Sequence, residues 1–215
     1  MEASRPAAGW ALYRKMAGLC GVLSPLLGLA LLGVSLYYHP TFSWTENYLS
    51  LLGVEGPARA SFNASVIVDA VLAIAFAVGF ATTLSSRRQL GRLGIAVLIL
   101  GACAMSFIGI FPRTCGAPHT YASVFFFALV PLGLFIIGAA QLASSRVASG
   151  LFTFACGILM VVLQLIPWPW GDKAVSQLLA GLPWSLGLFV FGLRLLRAPA
   201  GPAGKPQLAA PPQTP

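Results

Sequence analysis

Residues 61–85, SFNASVIVDAVLAIAFAVGFATTLS, run for twenty-five positions with a single charged side chain, Asp69. About 20 predominantly apolar residues suffice to carry an α-helix across a hydrocarbon core of roughly 30 Å, so the stretch predicts a transmembrane helix. Runs of the same kind occupy about 16–38, 93–112, 119–142, 147–167 and 174–196. Pro25, Pro131 and Pro183 fall inside these runs; membrane helices tolerate proline because neighbouring groups re-satisfy the freed carbonyls. The predicted class is therefore all-α: a polytopic membrane protein built as a six-transmembrane-helix bundle.

Composition agrees. Hydrophobic residues make up 58% of the chain and charged residues 8%, with a mean hydropathy of +0.85. Soluble domains carry about a quarter charged residues, so this chain could not cover a globule with polar surface. The first run is longer than the apolar core of a signal peptide and ends in Tyr37-Tyr38-His39-Pro40 without a small-residue cleavage site. It is read as the first span, after an N-terminal tail over residues 1–15. Residues 199–215, rich in Pro, Ala and Gln without periodicity, are expected to be a disordered tail.

The net charge of +8 is scattered, with no basic stripe or arm, which argues against nucleic-acid binding. Arg5, Arg14, Lys15, Arg87, Arg88, Arg92, Arg146, Arg194, Arg197 and Lys205 lie on one side of an alternating topology, and only Arg59, Arg113 and Lys173 on the other. Positive residues mark the cytoplasmic side, so ten against three places both termini in the cytoplasm of a cell-membrane protein. Tyr37, Tyr38, Trp44, Tyr48, Trp168 and Trp170 cluster at the opposite boundary, where amphipathic rings prefer the headgroup zone.

Cys20, Cys103, Cys115 and Cys156 form no CxxC pair and no Cys/His metal spacing. Only Cys115 lies in a loop, so no loop–loop disulfide is expected. The chain has no GxSxG, P-loop or dinucleotide fingerprint, and no cofactor is expected. Asn63-Ala64-Ser65 matches a glycosylation sequon formally, but too close to the membrane to act as an acceptor.

The ionisable groups are polarised. Glu46, Glu55 and Asp172 lie in external loops, and His39 and His119 at the outer ends of spans. The first external loop, from His39 to Ser61, is longer than the other two external loops. Its middle, Phe42–Gly53, is expected to form a short interfacial helix, with Ser43 or Thr45 as N-cap and Gly53 as terminator. Such a helix could roof a pocket lined by His39, Glu46, Asn47, Ser50, Asn63, Arg113 and His119. The pocket could take a lipid headgroup or a small ligand from the external side. The plain alternatives are a simple connection, capping histidines and a snorkelling Arg113; Arg113 could also pair with Glu46. A zinc site would need three or four converging ligands, and the chain shows neither HExxH nor an i, i+4 histidine pair. No metal site is expected.

Asp69 lies beneath this face, about nine residues into its run and near mid-membrane at roughly 1.5 Å per residue. An ionised acid facing lipid there costs at least ~2.5–3.5 kcal/mol. It is therefore expected to face protein or a cavity along the small-residue row Ser65, Asp69, Ala73, Ala77 and Ala81. Candidate partners at its level are Ser106, Ser123 and Ser185. Its plain reading is a buried carboxyl hydrogen-bonded to a serine or a backbone carbonyl. Its functional readings are the floor of a polar pocket or the site of a small proton-linked transporter. An intramembrane lipid-modifying or hydrolytic enzyme is a further alternative; it needs two groups within ~3 Å of a shared water. The partners expected are membrane lipids, and the sequence carries no signal of oligomeric state.

Several of these residues also form a recognisable series. Phe42-Ser43-Trp44-Thr45-Glu46-Asn47-Tyr48-Leu49-Ser50-Leu51-Leu52-Gly53, then Phe62-Asn63, then Gly109-Ile110-Phe111-Pro112 and His119, resemble in order and spacing the membrane family catalogued as domain of unknown function 998. The resemblance implies a six-helix membrane protein and brings no activity with it. Where that family usually has Ser-Asp-Leu-Gly, this chain has Ser50-Leu51-Leu52-Gly53, so no catalytic scheme built on that acid applies here.

Overall fold

The computed structural model describes residues 5–84, 88–171 and 173–198. The predicted disordered tail over 199–215, as well as Glu2, Arg87 and Asp172, lie outside them. Six α-helices follow one another: α1 (Arg5–Tyr37), α2 (Ala58–Phe80), α3 (Arg88–Ile110), α4 (Ala117–Leu142), α5 (Val147–Leu165) and α6 (Ala174–Arg197). All six are long and apolar enough to cross a membrane. Even the shortest, at 19 residues, spans about 28 Å at 1.5 Å per residue. This is a multi-pass membrane protein. Helix α1 reaches back from its apolar run to Arg5, so part of the expected N-terminal tail is helical.

Each helix packs on its neighbour in sequence, and α6 closes on α1, making a ring in the order α1 to α6. Outward faces are apolar and lipid-compatible, as at Leu100, Phe125, Leu151 and Leu186, each at least half exposed. Small residues set the distances inside the ring. A Cβ placed on Gly18 would stand 2.9 Å from the carbonyl oxygen of Gly192, and one on Gly192 2.8 Å from the amide nitrogen of Val22. Here α1 and α6 touch backbone to backbone. Close approach through small residues replaces the hydrophobic drive that lipid removes. Four residues of the expected row, Ser65, Asp69, Ala73 and Ala77, are buried on α2, whereas Ala81 lies past the end of that helix and is half-buried.

One end of the ring is partly roofed by the 38–57 connection. Only Leu49–Gly53 there is helical, as one 3-10 turn, whereas the sequence suggested a helix over Phe42–Gly53. Competing hydrogen bonds account for the difference. The Asn47 side chain accepts the Ser43 amide at 2.8 Å. The carbonyls of Asn47 and Trp44 are drawn away to accept the amides of Ala174 and Val175, at 2.8 and 3.2 Å. Those two amides sit at the start of α6, where helical donors lack partners within their own helix. Neither Ser43 nor Thr45 acts as N-cap; Tyr48 holds that position without a side-chain bond. Gly53 ends the turn as expected.

Candidate functional site

Beneath this roof the interior of the ring holds a cavity of about 840 Å³, within the size range of pockets for drug-sized ligands. Tyr48 from the roof and Arg113 from the α3–α4 connection line its outer end, and Lys173, just before α6, stands over the Tyr48 ring. The Arg113 guanidinium carbon lies 3.7 Å from the centre of the Tyr48 ring, and the Lys173 ammonium 4.2 Å from it. One ring thus holds two cations through cation–π attraction, and of the two Arg113 lines the cavity. Arg113 lies over Tyr48 rather than against Glu46, which is exposed.

His119 is fixed at the next level. Gly116, with φ of +68°, lets the chain reverse into α4. The His119 Nδ1 then donates to the carbonyl of Phe111 at 2.8 Å, at the end of α3 where helical carbonyls lack partners. This is a capping bond, and it leaves Nε2 for the cavity that His119 lines. Gln177 is held similarly, its Oε1 accepting the Leu49 amide at 2.9 Å and so locking the roof to α6.

Asp69 forms the floor. It is 7% exposed and faces the cavity. Its hydrogen-bond partner is Ser24 of α1, whose hydroxyl donates to Oδ1 and also lies 3.0 Å from the Asp69 main-chain carbonyl. The expected partners Ser106, Ser123 and Ser185 do not take this role. Ser106 and Ser123 bond carbonyls of their own helices instead, at 2.7 and 3.0 Å. Below Asp69 the ring is filled by Phe76, Phe80, Leu188 and Phe191, so the cavity ends there.

Of the residues expected to form an outer pocket, Ser50, Arg113 and His119 line this cavity, with Asp69 beneath. The other four do not line it. Asn63 Nδ2 donates to the Gly53 carbonyl at 3.1 Å and ties the roof to α2. Asn47 shapes the roof, Glu46 points to solvent, and His39 lies beside Thr41 and Phe42. Among the described residues no three His, Cys, Asp or Glu side chains gather as a metal centre would require.

Sequence reasoning passed over Tyr48, Lys173, Gln164, Gln177 and Trp184. Two of them carry buried polar atoms without a hydrogen-bond partner among the described residues: Trp184 Nε1 and Gln164 Oε1. A lone tryptophan in an apolar run reads as core, and nothing local distinguishes it from one that faces a cavity. Ser24 was within reach. It lies thirteen residues before the end of α1, and Asp69 eleven residues after the start of α2. Counting inward from their shared loop places them at one depth.

Fold and site together define a six-helix membrane protein with a chamber opening at one end of its bundle. The family described as "Protein of unknown function (DUF998)" matches residues 22–194, and the chain belongs to that family. No curated protein and no solved structure matches the chain.

Proposed function

We propose that the protein binds a single-chain anionic amphiphile, with the acidic head at Tyr48, Arg113 and Lys173 and the hydrocarbon chain in the cavity. The observation that carries this reading is the cavity itself: a largely apolar chamber that ends at Asp69, with Arg113 lining its outer end and Lys173 sharing the Tyr48 ring beside it. Its volume suits one chain with a small head. Leu29, Val124 and Leu182 line it and yet are 47%, 58% and 40% exposed. Being two turns or so inside their helices, they give the chamber an opening toward lipid. The closed core below Asp69 favours binding over a proton-linked carrier. His39 and Glu46 are not among the residues that line the cavity with His119, so they do not complete a catalytic pair with it there.

The test is equilibrium binding of a radiolabelled long-chain fatty acid and a lysophosphatidate to the full-length protein in nanodiscs of zwitterionic lipid. Both are expected to bind, and a neutral monoacylglycerol to bind at least about fivefold more weakly. Arg113→Ala is expected to weaken the acids about five- to tenfold, an effect that shrinks as salt screens the exposed guanidinium. Equal affinity for charged and neutral amphiphiles would sink the reading. A lysophosphatidate preference points to a membrane lipid as source, and a fatty-acid preference to a free acid.

The same reading has the mouth facing the outside of the cell membrane and both termini in the cytoplasm, supported by the ten-to-three basic bias. Cys115 is exposed at the mouth end, and Ser145 is exposed in the α4–α5 connection at the other. A membrane-impermeant maleimide should label Cys115 on intact cells and Ser145→Cys only after permeabilisation. The opposite pattern would reverse the orientation.

A further inference from the structure

The wall between α1 and α6 has a gap in it. The two helices run antiparallel and touch backbone to backbone at Gly18 and Gly192. Eleven residues make close to three turns at 3.6 per turn, so a residue eleven places further along a helix points the same way. Toward the outer end that residue is Leu29 on α1 and Gly181 on α6. Were the helices still in contact there, both would be covered. Instead Leu29 is 47% exposed, and a Cβ on Gly181 would meet nothing within 4 Å. Leu182 beside it is 40% exposed, and all three residues line the cavity. About one turn nearer the outer end the helices are joined again. Leu32 of α1 is buried in an apolar cluster with Leu52 and Phe62, and Leu178 of α6 packs against the same cluster. The gap is thus a bounded window in the side of the chamber.

Its depth gives it a use. Leu29 lies eight residues before the end of α1 and Leu182 eight after the start of α6. At about 1.5 Å per residue the window opens some 12 Å from the outer end, within the hydrocarbon layer. Asp69, eleven residues into α2, lies about 4–5 Å deeper. A chain running down from the outer end therefore reaches an apolar exit before it reaches the carboxyl. Pressing its end onto Asp69 would strip a polar group of water and give it no partner in return. Passing through the window leaves that end in lipid. We infer that the α1–α6 window is an exit for the ligand's chain, and that the chamber takes anionic lipids with chains longer than it is deep, their far ends lying in the surrounding leaflet. The inference rests on the amphiphile reading above and specifies the chain-length class. Val124, the third exposed lining residue, belongs to α4, across the ring from α1, and takes no part.

The experiment measures equilibrium binding of lysophosphatidates of increasing chain length to the full-length protein in nanodiscs, with affinity expressed per mole fraction in the disc lipid. A methylene that lies in lipid both before and after binding changes nothing. Affinity should therefore stay constant within about twofold for every chain long enough to reach the window. Leu182→Trp plugs the window from α6 and Leu29→Trp from α1. Each should bind the shortest chains as the unaltered protein does and the longest at least about tenfold more weakly, a difference of about 1.4 kcal/mol. Unchanged binding of short chains shows that a variant is folded. A sharp optimum in the unaltered protein, with longer chains about tenfold weaker, would overturn the exit, and that profile needs no variant. Equal binding of all lengths by both tryptophan variants would overturn it too. Failure of every length to bind the unaltered protein would overturn the amphiphile reading itself.

Discussion

Replacing Gly192 with leucine is expected to destroy the folded bundle, with a loss of stability of at least ~3 kcal/mol, at the upper end of what overpacking costs. The added Cβ would meet the Gly18 carbonyl oxygen at 2.8 Å, the Val22 amide nitrogen at 2.8 Å and the Gly21 carbonyl carbon at 2.9 Å. All three are main-chain atoms, so no side chain can swing away and the two helices must part. Because α6 meets α1 here, the separation breaks the closure of the ring below the floor of the chamber. Gly187 supplies the control: a Cβ there meets nothing within 4 Å. Gly187→Ala should be neutral or slightly stabilising, since alanine is the better helix former. Unfolding of the two variants in a graded detergent series, followed by circular dichroism, reads the difference. Equal midpoints would show that the α1–α6 contact is not what holds the ring.

The second large effect concerns the bond between Ser24 and Asp69. Ser24→Ala takes away little more than one oxygen atom and removes the only side-chain donor, among the described residues, to a carboxyl that is 7% exposed. Leaving such a group without its partner costs on the order of 2–3 kcal/mol. Asp69→Leu should be milder, because the Ser24 hydroxyl still has the main-chain carbonyl of residue 69, now 3.0 Å away, to accept its proton. The double variant removes both partners together and should be no less stable than Ser24→Ala alone. A double-mutant cycle would then show a coupling of about 1–3 kcal/mol. Strictly additive losses would mean that the two residues act independently, contrary to the geometry.

Most of the architecture was legible in the residues. Hydropathy finds six spans because lipid imposes one requirement on every position of a crossing helix, and a run such as 61–85 announces itself without reference to the rest of the chain. The burial of Asp69 followed from the same logic, as did its small-residue row. The roof was harder. Phe42–Gly53 carries an amphipathic pattern, but the carbonyls of Trp44 and Asn47 are claimed by the start of α6, more than a hundred residues later. A local pattern does not contain that competition. Likewise, His39, Glu46, Asn47 and Asn63 share an end of the bundle with Arg113 and His119, but depth alone does not say which way a side chain turns.

By itself, then, the sequence determined that this protein lives in a membrane, how many times it crosses and where its buried acid lies, because burial in lipid is a condition each helix meets alone. Only the tertiary structure decided that Ser24 holds that acid and that Tyr48 gathers Arg113 and Lys173. These are contacts between segments remote from one another in the chain. They depend on the order and rotation of the helices around the ring, which backbone-to-backbone packing at glycines such as Gly18 and Gly192 sets.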